Sequence, residues 1–126
     1  MARQDGVAPT GLADTAWTVA TINGGGVVPN APPTITFSSD KRVSGTTGCN
    51  QYSALFSTDG NRITIGALTA TEIGCEDARS TQEQVFLKGL DGAATWHVTE
   101  TGALEIDGPV TLVADPGIVA SSPPPA

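Results

Sequence analysis

The sequence predicts a mostly β domain with one helix, an α+β chain built as a small antiparallel barrel-like sheet of about eight strands. Three observations predict it. Short β-branched and aromatic runs recur between Gly, Asp, Asn and Pro turns. Within those runs apolar residues alternate with polar ones, as strands with one buried face do. A single stretch, near residues 80–90, carries helical spacing.

Trp17 to Ile22 opens the series and Asn23-Gly24-Gly25-Gly26 stops it. The Gly run is a flexible turn rather than a phosphate loop, because no Lys-Ser/Thr pair follows and no helix opens there. Thr34 to Phe37 places Ile35 and Phe37 on one face. Pro32 and Pro33 before it suit a strand entry, since neither can donate to a ladder. A polar turn at Ser38-Ser39-Asp40-Lys41 returns the chain through Arg42 to Thr46. Gln51 to Thr58 follows, with Tyr52 and Phe56 as its large apolar members. Asp59-Gly60-Asn61 is a hairpin signal leading to Arg62–Ile65, where Ile63 and Ile65 share a face.

Ser80 and Glu83 have the S-x-x-E spacing of a capping box, which predicts a helix start at Ser80. Val85, Phe86 and Leu90 then form one apolar stripe, with Gly89 or Gly92 to end the helix. Three strands close the chain: Thr95–Thr99 with Trp96 and Val98 inward and His97 outward, a second around Leu104 and Ile106, and a third around Val110 and Leu112. Trp17 and Trp96 read as core anchors.

The 126 residues suit one domain. Residues 1–11 read as a flexible lead-in, 12–115 as the folded domain, and 116–126 as a Pro-rich tail or linker. Six basic against thirteen acidic residues give a net charge of −7, which repels phosphate backbones and argues against nucleic-acid binding. No apolar stretch reaches the ~18 residues of a membrane span. The start, Met1 to Gly6, has no signal-peptide core, so the chain is either cytoplasmic or begins after a removed export segment. Its low Lys and high Thr content lean toward export.

Cys49 and Cys75 are the only cysteines. In an oxidising compartment they would pair, a link worth about 3–4 kcal/mol on chain-entropy grounds. In a reducing one they would be small buried hydrophobes. Neither has a histidine nearby in sequence, and His97, the one histidine, points away from the core. Cys49, Cys75 and His97 lack metal-ligand spacing, and Glu76 and Asp77 after Cys75 read as a solvated loop before the helix. No catalytic residue, metal or cofactor is therefore expected.

The run Ser44-Gly45-Thr46-Thr47-Gly48-Cys49-Asn50-Gln51-Tyr52 resembles the signature of META domains, the HslJ-like family of bacterial envelope proteins. Leu68-Thr69-Ala70-Thr71 with Cys75 resembles the family's second motif. Leu12 to Ile22, Ile35-Thr36-Phe37, Glu83 to Leu90 and Leu104 to Leu112 agree in order. Ala54 and Gly74 depart from the commoner small residues at their positions. The resemblance implies a compact barrel with a helix, carried on exported proteins or lipoproteins and associated with heat or envelope stress. It supplies no activity and no ligand. It marks Gly48, Asn50, Tyr52 and Thr71 as structural determinants and Cys49–Cys75 as a link between motifs. Asn50 tolerates a left-handed conformation and can cap its own turn. Tyr52 offers a ring to the core and a hydroxyl to a partner.

The expected function is a non-enzymatic, extracytoplasmic module, monomeric and binding an unidentified protein or small ligand. An inhibitor or small-ligand barrel is the alternative, with Val27-Val28-Pro29 as the exposed apolar stretch. A hydrolase built on His97 is a third reading; it needs a Ser, Asp or Glu within hydrogen-bond reach of that ring.

Overall fold

A computed structural model of the chain describes residues 12–117. The expected lead-in at 1–11 and nearly all of the expected tail lie outside the described residues. The elements in order are β1 (Thr15–Ile22), β2 (Gly25–Gly26), β3 (Thr34–Phe37), β4 (Arg42–Thr46), β5 (Gln51–Asp59), β6 (Arg62–Ile65), β7 (Thr69–Ala70), α1 (Asp77–Asp91), β8 (Thr95–Val98), β9 (Leu104–Asp107) and β10 (Leu112–Pro116).

Eight of the strands form a closed antiparallel barrel in the order β1-β3-β4-β5-β6-β8-β9-β10. The β1–β10 pairing completes the circle, from Trp17 opposite Pro116 to Ile22 opposite Leu112. Among the described residues, closure leaves no long unpaired barrel edge to recruit another chain. β2 and β7 are two-residue additions to β1 and β5 that the alternation pattern did not reveal. The seam between β6 and β8 is the thinnest, with one paired position, Arg62 opposite Thr95. Trp96 reinforces it: its backbone N–H donates to the Asn61 carbonyl at 2.9 Å and its indole N–H to the Gly60 carbonyl at 3.1 Å.

Every barrel strand sends side chains into one core. Trp17, Val19, Ile35, Phe37, Val43, Tyr52, Ala54, Phe56, Ile63, Ile65, Trp96, Leu104, Ile106, Leu112 and Ala114 are all buried. An eight-stranded barrel is just wide enough for such side chains to fill. Phe37 meets Phe56 edge to face, ring centroids 4.8 Å apart.

The helix lies across the end where β4 turns into β5 and β9 turns toward β10. Phe86 and Leu90 are fully buried there, and the Phe86 ring stands edge-on to Tyr52 at 5.5 Å. Gly89 sits inside the helix because a side chain would press on Val110 and Leu112, whose nearest atoms lie 3.1–3.3 Å from an added Cβ.

Three expectations are corrected. The helix starts at Asp77, so Ser80 and Glu83 form no capping box. Ser80 Oγ donates instead to the Cys75 carbonyl, and the Glu83 carboxylate is taken by groups on the barrel. Asp77 in the first turn favours the helix dipole without a side-chain cap. The last strand begins at Leu112 rather than Val110; Val110 is buried in the loop before it. The Val27-Val28 stretch is half-buried rather than exposed: Val27 packs on the core, and the Val28 N–H donates to Gln82 Oε1 at 2.7 Å.

Candidate functional site

The turn from β4 to β5 is where the structure joins distant parts of the chain. Thr47 Oγ1 accepts from the backbone N–H groups of Cys49 and Asn50, so this hydroxyl closes the turn. The left-handed residue is Gly48, at φ +94°, and not Asn50. Thr47 rather than Asn50 caps the turn, which frees the Asn50 amide to reach outward.

That amide is almost completely buried and makes bonds to two other segments. Its Nδ2 donates to Glu83 Oε2 at 2.8 Å and to the Ile73 carbonyl at 3.2 Å. Its Oδ1 accepts from Thr71 Oγ1 at 2.9 Å and from the Ile73 N–H at 2.7 Å. Thr71 Oγ1 in turn accepts from the Gln51 N–H. Asn50 and Thr71 therefore hold the loop from Gly66 to Glu76 against the start of β5. Cys49 and Cys75 are bonded as a disulfide, which fastens the far end of the same loop.

The helix secures the turn from the other side. Glu83 Oε2 accepts from Thr47 Oγ1 as well as from Asn50. Gln82, buried on the helix, donates from Nε2 to the carbonyls of Ala31 at 2.8 Å and Thr47 at 3.1 Å. Arg79 donates to Glu76 at 2.8 Å and reaches the Gly48 carbonyl at 3.4 Å. This Arg79 bond draws the Glu76 carboxyl below its ordinary range. Tyr52 fills the barrel beneath the turn, and its hydroxyl donates to the Thr34 carbonyl at 2.6 Å. Burial pushes the Tyr52 phenol well above its usual range, so it stays a neutral donor.

Thr47, Gln82 and Glu83 carry this network, yet sequence reasoning gave them no such role. Thr47 lay inside the quoted motif but has no chemistry that marks it. Glu83 looked like a cap because its true partners are over thirty residues away in the chain.

Replacing Asn50 with Ala is expected to cost about 2 kcal/mol, read as a lower urea midpoint. The half-buried Glu83 carboxylate loses a donor, while water recovers part of the loss at exposed Thr71 and Ile73. A change under about 0.5 kcal/mol would show that the loop does not rely on this amide.

Two surface grooves flank the turn. One, of about 490 Å³, includes Asn30, Thr34, Thr36, Thr46 and Arg79. The other, of about 430 Å³, is bounded by Asn50, Leu68, Ala70, Ile73, Glu83 and Leu87. Ile73 is 64% exposed on its rim and Leu55 is 56% exposed on β5; they are the exposed large apolar side chains among the described residues.

His97 points outward as its alternation predicted. Its Nε2 lies 3.8 Å from Glu105 and its Nδ1 3.8 Å from Asp107. Neither distance is a hydrogen bond. The hydrolase geometry is therefore not met at this ring, and both thiols are consumed in the disulfide. Asp107 beside Glu105 holds the Glu105 carboxyl above its usual range.

The fold and this junction define a class: a closed eight-stranded barrel, covered at one end by a helix and clamped by a disulfide across a motif turn. The chain belongs to the META domain family, whose sequence profile matches residues 10–114. Solved structures share the fold. A protein from Burkholderia xenovorans, solved by NMR, is similar at TM-score 0.70 and 23% identity, covering 90% of this chain and 94% of that one. A second NMR structure reaches TM-score 0.69 at 21% identity, over 82% and 90% of the two chains. A DUF4847 family protein from Bacteroides vulgatus, solved by crystallography, reaches 0.59 at 14% identity, over 82% and 93%. No curated protein matches the chain in sequence. No helix among the described residues is long and apolar enough to cross a membrane.

Proposed function

We propose that this chain is a non-enzymatic binding module of an extracytoplasmic compartment, monomeric, exported or held at the cell envelope as lipoproteins are, and serving there under stress. The observation that carries the reading is Ile73: an apolar side chain exposed at 64% on a loop immobilised by Asn50, Thr71 and the disulfide. A rigid loop loses little entropy when a partner covers its tip. The groove beside it combines Leu68, Ala70 and Leu87 with Glu83, and Glu83 Oε1 accepts no hydrogen bond from the described residues. An apolar side chain with a neighbouring donor is the partner feature that would fit. The disulfide suits an oxidising compartment, and membership of the META family supports an envelope setting.

The small-ligand reading draws support from the groove of about 490 Å³, whose Thr and Asn side chains and Arg79 suit a polar, anionic molecule. The same rigid loop would serve an inhibitor.

A photo-crosslinking residue placed at position 73, with one at position 55 as the control, tests the leading reading in intact cells of the native host. A discrete protein adduct is expected at 73 and not at 55. No adduct at 73, or the same adducts at both, overturns it.

A further inference from the structure

Away from the motif turn in the strand order, the hairpin of β8 and β9 gathers the sole histidine and two carboxylates. The register places His97 directly opposite Glu105 and Thr95 opposite Asp107. Because Trp96, Leu104 and Ile106 fill the core, their neighbours His97, Glu105 and Asp107 share the outer face. One ligand atom from each lies within 4.8 Å of the others. The two ring nitrogens lie near different carboxylates, Nε2 at 3.8 Å from Glu105 and Nδ1 at 3.8 Å from Asp107.

We propose that His97, Glu105 and Asp107 form a surface site for one divalent transition-metal ion of the zinc type. Three donors around such an ion, each about 2.0–2.2 Å from it, stand roughly 3–3.6 Å apart. The observed spacing is slightly wider, and rotation of half-exposed side chains closes it. One imidazole nitrogen with two carboxylate oxygens matches a borderline ion, whereas magnesium and calcium prefer oxygen alone. No Lys or Arg among the described residues pairs with Glu105 or Asp107, so two carboxyl groups stand side by side on β9 with the His97 ring opposite them on β8. A bound cation offsets the repulsion between the two carboxylates. The strands supply a rigid base: each ligand's neighbours are ladder-paired or core-packed, so little backbone order is lost on binding. Three protein ligands leave a coordination position open to water or to a donor from another molecule.

A simple ion-pair cluster makes different predictions, because it has no reason to distinguish zinc from magnesium. Calorimetric titration of the full untagged chain at neutral pH is expected to give one zinc equivalent per molecule and no saturable magnesium heat. His97→Ala and Asp107→Asn should each weaken zinc at least about tenfold, the lower end of what losing even an outer-shell partner costs. Both positions are on the outer face, and unchanged Tm values of the metal-free variants establish that the fold is intact. Nickel or manganese added to isotope-labelled protein should broaden NMR signals of residues 95–98 and 104–107. Absence of saturable zinc binding, unchanged affinity in either variant, or broadening centred elsewhere would overturn the proposal.

Discussion

Replacing Gly48 with alanine is expected to destabilise the domain by about 3–5 kcal/mol, adding left-handed backbone strain to overpacking. Gly48 holds φ +94°, a conformation that side chains other than glycine adopt at a cost. The added Cβ would also lie 2.5 Å from the Ala31 carbonyl oxygen and 2.4 Å from Gln82 Nε2. The first contact is with backbone. The second is with a side chain that cannot swing away without abandoning its bonds to Ala31, Thr47 and Val28. Gly48 therefore stands where the 28–31 segment, the motif turn and the helix come closest. Equilibrium urea unfolding measures the loss as a drop in midpoint at unchanged slope. A midpoint within error of the parent would mean that the turn relaxes freely and that this crossing point does not limit stability.

Removing the Cys49–Cys75 disulfide, by reduction or by serine at both positions, is expected to cost about 3–4 kcal/mol on chain-entropy grounds. The two residues are 26 positions apart, so the bond closes a medium loop that spans the β5–β6 hairpin and residues 66–74. Without it, the Asn50 amide and the two-residue pairing of β7 with β5 still hold that segment, but both are at its beginning or middle. The end nearest the helix loses its tie to the motif turn. The domain should stay folded, because its core draws on every barrel strand and owes nothing to the cysteines. Thermal unfolding of oxidised and reduced protein measures the difference. Hydrogen exchange should place new openings at residues 72–76. Equal stability of the two forms would show that the unfolded chain is already restricted there, or that the bond does not form in solution.

These two results bear on different parts of the junction. Gly48 tests whether the turn is packed to its limit against the helix. The disulfide tests whether the loop carrying Ile73 is rigid because it is cross-linked. A loss at Gly48 with none at the disulfide would leave the fold described here intact and weaken the binding proposal, since Ile73 would then ride on a segment held by hydrogen bonds alone.

What the chain shows in its sequence alone is local. Alternation at Ile35 and Phe37, at Ile63 and Ile65, and at Leu104 and Ile106 gave the strands and their inward faces, because side-chain direction in a strand repeats every second residue. The Asp59-Gly60-Asn61 turn was legible because positive φ at Gly60 is a property of one residue. The family motif was legible for a similar reason, being a contiguous string. The capping box failed because spacing alone cannot tell whether a carboxylate turns back on its helix or reaches a distant threonine and asparagine. Glu83 reaches them only when the helix crosses the barrel end.

By itself the sequence determined the strand-rich class, the single helix, the family and the outward position of His97, all consequences of periodicity, turn chemistry and a short motif. Only the tertiary structure decided that the sheet closes through β1 and β10, that Thr47 rather than Asn50 caps the motif turn, and that Asn50 ties the Ile73 loop to the helix. It also decided that Glu105 and Asp107 stand beside His97. Each of these depends on strand register or on contacts between segments far apart in the chain. Such contacts form because burying the core leaves their polar groups no nearer partner, and no local rule in the chain encodes which distant group will meet them.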